Sequence, residues 1–329
     1  MKKRTILTRF PGIVIPLAVA LGATGCLQPA EERLRIGVNA WPPFELLHLA
    51  REKGFLRDAG VDLDLVDFSS YTGILRSYHQ GHIDAFFSTL NEALIEDNFQ
   101  DPPVVVLVAD YSYGGDALLV SNGIATLKDL RGRKVVFEES ALGSYVLERA
   151  LSLGDLREED VMAINRLPEE AEWDFKTGAV DAIITYQPAL GRLLRLPGTR
   201  VLFSSRDLPS EIVDVLVVRK SLLQDRGDEI QRVLKGWFRA VDLLRQNPAE
   251  AAQPMAARER ISVEEFLQSL DGAHIPDLEE NRKLLGSPGA PGTLHQTAER
   301  IGEFLVRRGL AHRVAPPAEV FHAELIGSL

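Results

Sequence analysis

Cysteine is almost missing from this chain, with Cys26 alone in 329 residues. A single thiol makes no internal disulfide framework and no cysteine-based zinc site. Positive charge is also short: 37 Lys and Arg face 47 Asp and Glu, a formal charge of -10. Such a balance excludes the basic surface that nucleic acid or anionic lipid requires. There is no Gly-rich phosphate loop of the Walker kind and no Gly-x-Ser-x-Gly elbow. Ser, His and Asp occur, but no spacing singles out a triad. His79 and His82 have helical spacing, yet Gly81 stands between them and no third ligand is at hand, so they read as a solvated helix end. The expectation is therefore a chain without catalytic residues, cofactor or metal.

What is present is a repetition. Gly81-His82-Ile83-Asp84-Ala85-Phe86-Phe87 and Gly178-Ala179-Val180-Asp181-Ala182-Ile183-Ile184 share Gly-x-apolar-Asp-Ala followed by two apolar residues. Each follows a helix-like segment and opens a buried strand. Each strand then ends in polar or aromatic residues, Ser88-Thr89 and Thr185-Tyr186-Gln187-Pro188. The chain reads as two similar α/β lobes. Ligands of open α/β sheets sit beyond the carboxyl ends of the strands, so two facing lobes make a cleft that can close on a small molecule.

The first residues read as an address. Met1 to Arg9 carries Lys2, Lys3, Arg4 and Arg9 and no acid, and Pro11 to Gly25 is apolar. That run is too short, and too interrupted by Pro11 and Pro16, for a membrane span of about 20 residues. Residues 1–25 are expected to be a lipoprotein-type export signal. The stretch Ala23-Thr24-Gly25-Cys26 resembles a bacterial lipobox, with Ala23 where Leu is usual; the resemblance implies lipidation at Cys26 and a membrane anchor. Residues 26–33 then form a tether. Removing the four cationic residues with the signal takes the charge from -10 to -14.

Beyond the tether, strands and helices alternate. Leu34 to Asn39 and Val61 to Phe68 read as strands, Phe44 to Lys53 and Tyr71 to Gln80 as helices, with Ser69-Ser70 as a cap. A helix is expected from Asn91 to Asp97, and Val104 to Ala109 reads as a buried strand. Asp110 to Asp116 breaks the rhythm and joins that strand to Ala117–Val120 through Gly114 and Gly115, the candidate hinge. Val213 to Val218 is read as the return crossover, and the chain from Leu222 onward as helical. The lobes are expected to be 34–113 plus 217–329, and 114–216.

Polar and aromatic residues beyond strand ends are the candidate ligand contacts. The first lobe offers Asn39, Trp41, Ser69, Tyr71, Ser88, Thr89 and Asn91. The second offers Glu138, Ser140, Ser144, Tyr145 and Tyr186. The crossovers offer Asp110, Tyr111, Ser112 and Asp214. Ser69 and Ser140 compete as plain helix caps, and Asp84 and Asp181 read as turn ties. Helix starts at Pro42, Ser69 and Ser140 suit an anion. Yet these segments hold Asp110, Asp116, Glu138, Glu139 and Asp214 with no Arg or Lys. Acids beside aromatic rings suit an amine, a zwitterion or a pyrimidine-like molecule better.

Five stretches, in order, carry a family resemblance: Arg35-Ile36-Gly37-Val38-Asn39-Ala40-Trp41-Pro42-Pro43-Phe44, Gly81 to Ala85, Lys128 to Val135, Gly178 to Ala182, and Asn247-Pro248-Ala249-Glu250-Ala251-Ala252. The chain resembles the type II periplasmic solute-binding proteins of ABC importers, in the nitrate, sulfonate, taurine and thiamine-pyrimidine-precursor class. The resemblance implies an α/β, two-lobed type II periplasmic binding protein fold with hinge crossover strands and a helical C-terminal region. It further implies a monomer that captures a small-molecule ligand, sulfonate or taurine among them, and delivers it to a membrane permease and its ATPase. A ligand-sensing lipoprotein signalling to a membrane receptor is the alternative. The fungal pyrimidine synthases resemble this fold too, but use a cysteine-rich segment that this chain lacks.

Overall fold

The computed structural model describes residues 33–95, 101–121, 123–287 and 289–329. The expected signal, Cys26, most of the tether and the last two residues of the expected helix, Glu96 and Asp97, lie outside the described residues. The strands in chain order are β1 (Leu34–Asn39), β2 (Leu63–Phe68), β3 (Ala85–Thr89), β4 (Pro103–Ser112), β5 (Asp116–Val120), β6 (Lys134–Phe137), β7 (Met162–Asn165), β8 (Ala182–Tyr186), β9 (Arg200–Ser204), β10 (Val213–Arg219) and β11 (Ala273–His274). The larger sheet runs β11-β4-β10-β3-β1-β2 and the second β7-β6-β8-β5-β9, with a separate two-stranded hairpin of Gly286–Ser287 and Ala290–Pro291.

Apart from β11, the two sheets have the same order. The strands β2, β1, β3, β10 and β4 match β7, β6, β8, β5 and β9. The pairing sense matches as well: β1 is parallel to β2 and β3, β6 to β7 and β8. β10 then runs antiparallel between β3 and β4, as β5 does between β8 and β9. Each sheet thus accepts one strand that has just arrived from the other lobe. The two echo motifs supply β3 and β8, which occupy the same slot.

The motif residues explain how the slot is made. Gly81 and Gly178 end the helices Tyr71–His79 and Pro168–Lys176 at φ of +70° and +73°, where a side chain would be strained. Asp84 and Asp181 then accept hydrogen bonds from the backbone N–H of Arg35 and Lys134, each at 2.9 Å. Each aspartate ties its strand to the start of the parallel neighbour, at the end remote from the cleft.

Helix Lys220–Gln246 lays Ile230, Val233, Leu234, Trp237, Ala240 and Val241 on the first lobe, spaced as one helical face requires. Trp237 stacks on Phe87 with ring centres 5.1 Å apart. The second lobe has a core of its own, built on Val135, Phe137, Val146, Leu147 and Phe203.

Three expectations need correction. β4 continues to Ser112, so Asp110, Tyr111 and Ser112 lie on a strand, and the outward crossover is only Tyr113–Gly115. The ladder to β10 accounts for this: it holds Tyr111 opposite Val213. β10 lies wholly in the first sheet, so the return passage runs through 205–212 and ends before Val213. The C-terminal part is largely helical but not entirely. β11 pairs with the outer edge of β4, and the Asn281 amide bonds both the N–H (2.8 Å) and the C=O (3.1 Å) of Val108. A bare sheet edge is a liability, and this region covers it.

Candidate binding cleft

Because the two sheets share one order, each brings the same positions to the cleft. Asp214, near the start of β10, pairs with Thr89 at the end of β3. Asp116, at the start of β5, pairs with Tyr186 at the end of β8. Asp214 also pairs across the ladder with Asp110. Three aspartates from two lobes therefore converge, all at least nine-tenths buried.

Their charges are coupled. Trp41 donates its indole N–H to Asp110 at 3.0 Å. Asp110 and Asp214 stand opposite each other on paired strands, and two buried carboxyls so placed disfavour each other's charge. Burial pushes the Asp110 carboxyl up to about 7, with the bonds from Trp41 and Asp214 holding it back. Burial, and then the charges of Asp110 and Asp116, push Asp214 well above the usual carboxylate range. Burial raises Asp116 to about 6 against a hydrogen bond from Ser112.

Aromatic rings complete the wall. Tyr186 of the second lobe meets Trp41 edge-on at 6.4 Å and Tyr71 at 5.5 Å, both from the first lobe. Burial first, and then nearby carboxylates, push the Tyr71 and Tyr186 hydroxyls well above their usual range, with Asn39 close enough to pull weakly the other way. Neither polar atom of its amide, however, closes a hydrogen bond of normal geometry.

Two further acids cross the cleft. Glu138, from the loop after β6, accepts from the N–H (2.9 Å) and hydroxyl (3.0 Å) of Thr72 at the start of helix Tyr71–His79. Glu92, in the short helix Leu90–Leu94 after β3, accepts from the N–H groups of Leu142 (2.9 Å) and Ala141 (3.3 Å) at the start of helix Ala141–Leu153. Each lobe thus places a carboxylate on a helix N-terminus of the other, where free N–H groups and the helix dipole favour negative charge. Burial still raises Glu92 to about 7, and the nearby Glu138 charge adds to it.

The remaining predicted residues are distributed as follows. Ser140 and Thr89 cap helices through Gly143 N–H (3.0 Å) and Glu92 N–H (3.4 Å). Ser69 is exposed, and Ser70 rather than Ser69 makes the cap. Ser88 and Asn91 are fully buried, and their polar side-chain atoms have no hydrogen-bond partner. Ser144 is buried one turn inside its helix. Tyr111 turns away from Asp110 and stacks on His274 at 6.2 Å. Ser112 bonds Ser205 at 2.8 Å and so links the outward and return passages. Tyr145 donates to Glu211 at 2.6 Å and packs edge-on against Phe304. Thus the structure brings Asn39, Trp41, Tyr71, Asp110, Glu138, Tyr186 and Asp214 together. Glu92 and Thr72 escape a reading by strand ends. Asp116 enters that reading only as a nearby charge, although its slot under the repeat matches that of Asp214.

The crossover is packed as tightly as the cleft. A Cβ on Gly115 would stand 2.3 Å from the Trp41 ring and 2.7 Å from the Gly272 carbonyl oxygen. Gly115→Val is expected to displace Trp41 and lower stability by about 1–3 kcal/mol. Urea denaturation would measure this, and a variant as stable as the parent would mean that Trp41 is not seated there.

Comparison with known proteins adds to this geometry. A family model described as NMT1/THI5 like matches residues 41–251. A putative aliphatic sulfonates-binding protein of Bacillus subtilis (strain 168) is 26% identical over 246 residues, covering 73% of this chain and 74% of the relative. The alkanesulfonate-binding protein SsuA from Xanthomonas axonopodis pv. citri, bound to MOPS, superposes with a TM-score of 0.74 at 18% identity, covering 89% of this chain and 99% of that one. The desulfurization enzyme DSZB superposes with a TM-score of 0.65 at 18% identity, covering 90% of this chain and 98% of that one. The fold therefore serves both binding and chemistry in other proteins.

Proposed function

The chain belongs to the NMT1/THI5-like family, and on that footing we propose that it is the extracytoplasmic solute-binding component of an ABC importer. The fold is the two-lobed α/β fold of the periplasmic binding proteins, with a largely helical C-terminal region. The observation that carries the reading is the convergence of Trp41, Tyr71 and Tyr186 with buried polar atoms of Asn39 and Asp214 that lack partners. Buried polar groups are normally satisfied, so these await a small polar organic molecule. Contacts from both lobes stabilise the closed form, and occupancy shifts the population towards it. Gly114 and Gly115 in the outward crossover act as the hinge.

Export and attachment through a lipid on Cys26 belong to this proposal and rest on the sequence. No described helix is long and apolar enough to cross a membrane. A non-catalytic role fits a cleft whose acids bond to backbone N–H groups, hydroxyls, an indole and one another. The partners are the permease and its ATPase.

The test is uptake. Deleting the gene in its source bacterium is expected to abolish import of whichever labelled solute stabilises the purified chain. Unchanged import would overturn the reading, and unchanged import with a lost transcriptional response would point instead to sensing.

A further inference from the structure

Two helix N-termini that open onto the cleft, those of Tyr71–His79 and Ala141–Leu153, are already filled by the chain's own carboxylates, and we infer that the ligand is a small organic cation carrying an amine or amidinium group. This rests on the solute-binding reading and specifies its substrate class. The helix Ala141–Leu153 gives the N–H groups of Ala141 and Leu142 to Glu92, and its next, Gly143 N–H, to Ser140. The helix Tyr71–His79 gives Thr72 N–H to Glu138 and Gly73 N–H to Ser70. An anionic ligand would find these donors spent and two carboxyl side chains in their place. A helix start is a ready anion site only while its N–H groups are free.

The rest of the wall has the opposite preference. Asp110, Asp116 and Asp214 meet with no cation among their hydrogen-bond partners within the described residues. Asp214 retains an unpartnered carboxylate oxygen, as does Glu138, while Asn39 retains an unpartnered amide. With the buried Ser88 hydroxyl and Asn91 amide, which also lack partners, the unsatisfied groups include four oxygens that only accept, those of Asp214, Glu138, Asn39 and Asn91. An ammonium or amidinium group supplies donors and positive charge together. The rings of Trp41, Tyr71 and Tyr186 pack together beside these acids, and aromatic rings further stabilise a cation placed over them. The raised carboxyls agree with this picture: without a cation the site holds protons, and a cation takes their place.

The experiment is a thermal-shift series on the full chain with putrescine, agmatine and ethanolamine against ethanesulfonate and nitrate. A rise in melting temperature with one of the three cations, and with neither anion, is the expected result. Asp214→Asn is expected to weaken that binding at least thirtyfold, roughly the loss that follows removal of one member of a buried charge pair. The same change relieves buried repulsion with Asp110 and Asp116, so the variant folds and the loss is one of affinity. A shift with ethanesulfonate or nitrate would overturn the cation assignment and leave the solute-binding reading standing. Cation binding undiminished in Asp214→Asn would overturn the site. No shift with any compound would overturn the cation assignment and count against the solute-binding reading as well.

Discussion

Trp41→Ala is expected to lower the stability of the chain by about 3–5 kcal/mol, the range for emptying a fully buried large aromatic site. Trp41 is 1% exposed and meets three features at once: the Asp110 carboxyl, the Tyr186 ring and the Gly115 backbone. No one neighbour can fill the gap, because Gly115 has no side chain and Tyr186 is held by Tyr71. Trp41→Phe separates volume from hydrogen bonding. It keeps most of the ring but leaves Asp110 without its indole donor, which is expected to cost about 1–3 kcal/mol. Urea denaturation measures both. A loss below about 1 kcal/mol for the alanine variant would mean that Trp41 does not join the lobes to the crossover.

Raising the pH from about 5 to about 8 is expected to lower the melting temperature of the ligand-free protein by roughly 5–10 °C. Asp110, Glu92 and Glu45 are raised to about 7 and Asp116 to about 6, each by burial first. Asp214, Glu138 and Glu259 are raised as well. Unfolded, these groups lose their protons near 3.8 or 4.5. Between those values and 6 to 7 the folded chain binds more protons, so its stability is fullest below the unfolded values and declines as pH rises through the folded ones. His48 and His79, both held below 6.5 by burial first, act in the other direction. The lowered carboxyls, such as Asp67 and Glu172, act below this window. The double change Asp110→Asn and Asp214→Asn is expected to flatten the slope. A melting temperature that rises from pH 5 to 8 would contradict the burial of these acids.

Much of the fold is legible because it is local. The Gly-x-apolar-Asp-Ala repeat marks β3 and β8, and Ser70 and Ser140 mark helix starts, since a turn or a cap is built from residues within four positions of each other. Leu34–Asn39 is a strand with the bounds its pattern predicts. What escapes is made by distant chain. The extension of β4 to Ser112 depends on β10, about a hundred residues later, and β11 has only two residues with which to announce itself. Glu92 is the sharpest case. In Leu90-Asn91-Glu92-Ala93-Leu94 it looks like the exposed face of a short helix, and only helix Ala141–Leu153 of the other lobe explains its burial. Tyr145 shows the reverse error. Its position near a helix start suggests a ligand contact, whereas the Glu211 carboxylate and the Phe304 ring hold it.

The exchange of carboxylates between the lobes also has a kinematic meaning. Under the proposed hinge at Gly114 and Gly115, one lobe would be free to swing and twist over the other along many paths. The Glu92 clasp on Ala141 and Leu142 and the Glu138 clasp on Thr72 add two fixed points on the facing surfaces. With the passage joined by Ser112 and Ser205 as a third, the mutual orientation of the lobes has no rotation left over. The arrangement of the two lobes seen here is thus one docking geometry held by contacts the chain itself supplies.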